Sequence, residues 1–181
     1  MVEAVSEVEL RESDEEILRR EAERVKPVEA CALLTGKIKE GCARISQVYL
    51  AQNIDASTAS FTVDPELVLK VVTEAEQRGE GLAAIFHSHG ASAAPSELDR
   101  YFMKLNPVVW LISSLNDGSL EAYQWQVGSI RRLTIRRPRV SAPQASPHQL
   151  SSSKVYALLI ASLTLTICSL LVRPALRAVR M

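Results

Sequence analysis

The period of the apolar positions changes several times along the chain, and each change marks an element. Val8 to Leu10 reads as a short strand, and between Asp14 and Val25 the residues Ile17, Leu18, Ala22 and Val25 recur at helical spacing, predicting a helix with those side chains inward. Two strands are expected next, Ala30 to Thr35 and Ala43 to Leu50, joined by a hairpin around Gly36 to Gly41. After a loop through Phe61-Thr62-Val63, Leu67, Val68, Val71, Val72 and Ala75 give one apolar face to a helix from Pro65 to about Arg78. Leu82-Ala83-Ala84-Ile85-Phe86 is a short buried strand, followed by a helix from Ser96 to Leu105 and strands at Val108 to Ser113, Leu120 to Gln126 and Ile130 to Arg136. Strands in runs, broken by two or three helices, predict an α+β domain whose mixed β-sheet is sandwiched by helices.

The pattern ends at about residue 137. Residues 138–153, rich in Pro, Ser and Ala, are expected to form an extended linker. Val155 to Val172 then gives eighteen uncharged residues between Lys154 and Arg173. As a helix these would measure ~27 Å, enough to cross a bilayer. The expected organisation is therefore a folded domain over 1–137, the linker, a C-terminal transmembrane helix over 154–173 and a short basic tail over 174–181. Ser162, Thr164, Thr166 and Ser169 leave a buried amphipathic helix docked on the domain as the other reading of that segment.

Charge adds an asymmetry that the net value of zero conceals. Acidic residues crowd Glu3 to Glu23, none follows Glu121, and Arg131, Arg132, Arg136, Arg137 and Arg139 precede the apolar segment. Without an aromatic platform or binding motif they do not point to nucleic acid, and their position suits a membrane surface. No apolar leader opens the chain, so the folded part is expected on the cytoplasmic side of a single-pass C-terminal anchor. Cys31 and Cys42 lack a Cys-x-x-Cys spacing and read as packing residues.

The chemistry concentrates where the strand at Phe86 ends, in His87-Ser88-His89 followed by Pro95-Ser96-Glu97-Leu98-Asp99. His87 and His89, two apart on a strand, point to one side and can reach one ion. Ser96 stands at the start of a helix with Asp99 one turn in, where its carboxylate can swing back toward the strand end. Two imidazoles and a carboxylate with an open fourth position make a set that catalytic zinc uses. Glu29, the odd carboxylate at the mouth of the apolar strand that follows, is the candidate general base beside such an ion, since partial burial raises a carboxyl toward working pH.

Glu29, a distant His87-Ser88-His89, then Ser96 and Asp99 resemble, in identity and order, the signature of the JAMM (MPN-plus) metallopeptidases. Asn53, Phe61-Thr62-Val63-Asp64-Pro65-Glu66 and Pro95-Ser96 are similar to the family's flanks, so the resemblance covers roughly residues 5 to 135. Two departures stand out: six residues separate His89 from Ser96 where the family usually has seven, and Gly90 replaces a Pro. The resemblance implies a cytidine-deaminase-like layout, one zinc ion held by His87, His89 and Asp99, Glu29 activating water, and Ser96 helping to hold the oxyanion. Ser96 as a plain helix cap stands beside that role.

The expected activity is a zinc-dependent isopeptidase or peptidase that cuts the C-terminal linkage of a ubiquitin-like modifier or sulfur-carrier protein. Two other readings remain: a noncatalytic membrane-anchored scaffold of the same fold, and a structural zinc closed by Cys31 or Cys42 with the two histidines.

Overall fold

The computed structural model describes residues 3–138. Its elements are β1 (Glu7–Glu9), α1 (Glu12–Val25), β2 (Cys31–Lys39), β3 (Cys42–Ala51), α2 (Pro65–Gln77), β4 (Gly81–His89), α3 (Glu97–Leu105), β5 (Val109–Ser114), β6 (Leu120–Gln126) and β7 (Ser129–Arg136). Local chemistry sets the helix starts. Arg11, just before α1, pairs with Asp14 at 2.7 Å. Asp64 accepts from the Glu66 amide ahead of α2, whose first residue is proline, and Ser96 caps α3.

The expected mixed β-sheet sandwiched by helices is corrected. The strands close into a barrel in the order β1-β3-β2-β4-β5-β6-β7. The closing piece is β1, which pairs in parallel with β3 through Glu7↔Cys42 and with β7 through Glu7↔Thr134. A three-residue strand carries too little periodicity to announce two partners, so the sequence left the sheet open. Every strand contributes to one apolar cluster, with Val8, Ala32, Leu34, Ala43, Phe86, Leu111, Ala122 and Leu133 packed around Leu18 and Ala22 of α1. A second cluster joins Leu33, Ile85, Trp110 and Ile112 to Phe61, Val68, Val71 and Met103, so α2 and α3 cover the other face.

Some details also differ from expectation. Ile17 is 44% exposed, and the buried face of α1 includes Asp14 and Glu21 instead. Gly36 lies inside β2, not in the turn, which is made by Glu40 and Gly41 at positive φ. A Cβ on Gly36 would stand 1.9 Å from the Arg44 carbonyl oxygen, so the β2–β3 irregularity at Thr35/Gly36 needs a residue without one. Three of the arginines read as a membrane-facing group are engaged in ion pairs within the domain: Arg132 with Glu121, Arg136 with Glu7 and Arg137 with Glu15. The linker, transmembrane helix and basic tail expected after residue 138 lie outside the described residues. Among the described residues no helix is long and apolar enough to cross a membrane.

Candidate metal centre

The site is built at the end of β4. Antiparallel pairing sets Cys31 opposite His87, and one step further along the two chains Ala30 meets Ser88 through the Ser88 N–H to the Ala30 carbonyl at 3.1 Å. Alternation then puts His87, His89 and Glu29 on one face. Ile85, two residues before His87 and on the same face, is a member of the α2/α3 cluster. His87 is fully buried, with its ring 5.0 Å from that of Phe61 and 5.9 Å from that of Trp110. His89 is held by its Nδ1, 3.1 Å from the Ser92 carbonyl. A proton on that nitrogen leaves Nε2 with a free lone pair.

Asp99 arrives from the opposite direction, on the first turn of α3. Ser96 Oγ accepts from the Asp99 amide at 3.1 Å, and Asp99 Oδ2 accepts from the Ser96 amide at 2.6 Å, a reciprocal capping box. The box turns the carboxylate back over the strand end. Oδ1 lies 3.1 Å from His87 Nε2, Oδ2 lies 3.3 Å from His89 Nε2, and the two Nε2 atoms are 2.9 Å apart. The six-residue loop between His89 and Ser96 therefore still delivers Asp99 to both histidines.

These three side chains offer ligand atoms that lie within 4.8 Å of one another and could hold a metal ion. The geometry fits. Nitrogen and oxygen ligands around tetrahedral zinc, at bond lengths of about 2.0–2.1 Å, stand about 3.3 Å from each other. A single proton between the two imidazoles would satisfy one contact, whereas a cation satisfies both nitrogens and the carboxylate together. The cysteines do not join: Cys31 Sγ is 3.5 Å from the Ala51 carbonyl, while Cys42 pairs with Lys39 at the other end of the same hairpin. Both thiols are free and buried, and neither belongs to the close ligand group of His87, His89 and Asp99.

Glu29 Oε1 stands 3.9 Å from His89 Nε2, and its residue is 6% exposed. Burial, aided by the Asp99 charge and opposed by His89, pushes its carboxyl up to about 7. Burial alone would also raise Asp99, but hydrogen bonds from His87 and His89 overcome it and hold that carboxyl well below the ordinary range. Burial keeps His87 low, against the pull of Asp99. For His89 burial works the same way, yet Asp99 and Glu29 outweigh it and raise the imidazole. A cavity of about 600 Å³ opens beside Glu29, lined among others by Arg24, Val28, Leu50 and Asn53.

All five residues expected at the site, Glu29, His87, His89, Ser96 and Asp99, are brought together at this end of the barrel. Reading the sequence missed Ser92, which acts through its main chain and so leaves no side-chain signal. It also missed the aromatic wall of Phe61 and Trp110, whose signal was two large rings at inward strand and loop positions.

Fold and site together define a domain with a candidate single-metal centre of two imidazoles and one carboxylate, flanked by a buried carboxyl. The chain belongs to the family of prokaryotic homologs of the JAB domain, which it matches over residues 11–128, and the JAMM resemblance is thereby borne out. It is 42% identical over 86 residues to a desampylase of Pyrococcus furiosus, an overlap that takes in 47% of this chain and 59% of that protein. A solution structure of a protein from Desulfitobacterium hafniense superposes with a TM-score of 0.63 at 26% identity, covering 72% of this chain and 92% of that one. Another from Salinibacter ruber, at 23% identity and a TM-score of 0.55, covers 78% and 97% and shows the shared fold.

Proposed function

We propose that this chain is a zinc-dependent isopeptidase or peptidase acting at the C-terminal linkage of a ubiquitin-like modifier or sulfur-carrier protein. The observation that carries the reading is the close set of His87, His89 and Asp99 with a buried carboxyl, Glu29, 3.9 Å from the nearer imidazole. Membership of the JAB-domain family and the similarity to a protein called desampylase support the class of substrate.

His87, His89 and Asp99 would hold the ion. Bound there, zinc would lower the pKa of water toward ~7 and polarise the scissile carbonyl. Glu29 takes a proton from the attacking water as the new C–O bond forms. It then returns that proton to the departing amine nitrogen as the C–N bond breaks. Burial, which raises the Glu29 carboxyl, opposes the downward pull that a bound cation would exert on it, and a carboxyl so balanced can both take and return a proton. Ser96 has its amide and one lone pair committed to the capping box, which leaves its exposed hydroxyl hydrogen as the donor for the oxyanion.

The test incubates the full chain with a panel of ubiquitin-like fusions and lysine conjugates, with zinc content measured in parallel. Cleavage after the modifier's terminal glycine with one zinc per chain is expected. A protein that binds zinc but cuts no member of the panel, or binds none, would refute the proposal.

A further inference from the structure

We infer that Ser88, the residue between the two histidines, is a positioning residue for Glu29; this rests on the reading of Glu29 as the base. From Leu34↔Ala84 to Cys31↔His87 the β2–β4 ladder is regular. A regular antiparallel pair at the next step would exchange two main-chain hydrogen bonds. Only one is made, from the Ser88 N–H to the Ala30 carbonyl at 3.1 Å. The Ala30 N–H donates instead to Ser88 Oγ at 2.9 Å. The hydroxyl thus stands in for the main-chain carbonyl as the partner of the Ala30 N–H and ties the main chain beside Glu29 to the strand that carries both histidines. That side-chain tie falls one residue after Glu29 and one residue before His89, beside the space between base and ligand that must admit a water molecule.

The other side of Glu29 is fixed as firmly. Its amide donates to the Ser57 carbonyl at 3.0 Å, and its own carbonyl accepts from Asn53 Nδ2 at 3.2 Å. Asn53, 7% exposed, also donates to the Ser57 and Ser60 carbonyls and accepts from the Asp55 and Thr62 amides. Ser88 holds the main chain on one side and Asn53 on the other, so the backbone from which the Glu29 carboxylate projects is fixed at both ends. Ser88 is itself fully buried and its hydroxyl oxygen is spent on Ala30, so it has no direct path to substrate.

The experiment compares Ser88→Ala, Ser88→Thr and Asn53→Ala in the full chain by zinc stoichiometry, steady-state cleavage and the crystallographic position of Glu29. In Ser88→Ala the Ala30 N–H loses its partner, and the main chain at Glu29 should shift and move the carboxylate by ~1 Å, lowering kcat by about 10²-fold with KM unchanged. Zinc should stay at the wild-type level, because all three ligands remain. Thr keeps the hydroxyl and should restore kcat to within a few fold. Asn53→Ala should displace Glu29 from the other side, again without loss of zinc, and gives the same readout should Ser88→Ala fail to fold. An unmoved Glu29 in the variants, equal rates for Ala and Thr, or loss of zinc from Ser88→Ala would each overturn the inference. A wild-type protein that cleaves nothing would refute the proposed activity alone, and the position of Glu29 would still decide whether Ser88 holds it.

Discussion

Glu29 and His89 face each other across the ends of two adjacent strands, with Oε1 and Nε2 3.9 Å apart, although a complete hairpin and a helix separate them in the chain. The proposed base and the proposed ligands therefore belong to different chain segments. Glu29→Gln keeps the shape and removes the proton acceptor. It should retain zinc at the wild-type level while cleavage falls about 10²–10⁴-fold, which metal analysis beside steady-state kinetics would check.

Asp99 serves two structures at once, the proposed ligand set and the cap of α3. Asp99→Ala should lose zinc and in addition destabilise the metal-free protein by about 1–3 kcal/mol, through the lost cap and the unpaired buried His87. Asp99→Asn, which can still accept from the Ser96 amide, should weaken zinc binding with a smaller stability loss. Urea denaturation in chelator and zinc titration separate the two effects.

The pH dependence of the metal-free protein follows from Glu29. Its carboxyl titrates at 4.5 ordinarily and at about 7 when folded, so the folded state binds the proton more tightly. The resulting stabilisation is complete below pH 4.5 and is lost as pH rises through about 7. In chelator, wild type and Glu29→Gln should therefore diverge with pH, the variant gaining relative stability between pH 4.5 and 7 and keeping that gain above. A difference in denaturation midpoint that is constant with pH would contradict this.

Burial pushes the Cys31 thiol up to about 12, and the residue is fully buried. Native protein should leave Cys31 unmodified by an alkylating reagent at neutral pH, on a timescale over which urea-unfolded protein reacts completely. Peptide mapping reads the outcome directly.

Phe61 lies against the His87 ring and belongs to the cluster under α2. Phe61→Ala should cost about 3–5 kcal/mol and weaken zinc binding by loosening that imidazole. Calorimetry and competition with a chelating dye would measure the pair of effects.

The residues that bear chemistry were legible because their types and spacings are constrained at short range. His87 and His89 share a face through strand alternation, and Ser96-x-x-Asp99 caps a helix wherever it sits. Long elements were legible for the same reason: β6 occupies the expected residues, and the helix from Pro65 ends one residue before its expected limit. What escaped depends on contacts between distant segments. β1 is too short to show that it joins β3 to β7, Gly36 gave a turn signal while serving a close approach of Arg44, and Ile17 kept helical spacing yet faces solvent. The Ser92 carbonyl could not be read at all, since every residue carries one.

Closure of the barrel by β1 has a consequence for how the domain is made. Arg136 bonds Glu7 across 129 positions of sequence, and both strands that flank β1 in space are needed before the ladder is complete. On the ribosome β1 emerges before β7 and must wait for it. Until then the edge of β1 that β7 will cover stays open, the state in which strand proteins are most prone to pair with a neighbour. Such long-range pairing also places the domain among slower folders, in the millisecond-to-second range. Glu3, Glu7 and Glu9 precede β7 in the chain, and their repulsion between copies disfavours that wrong pairing before the ladder is complete.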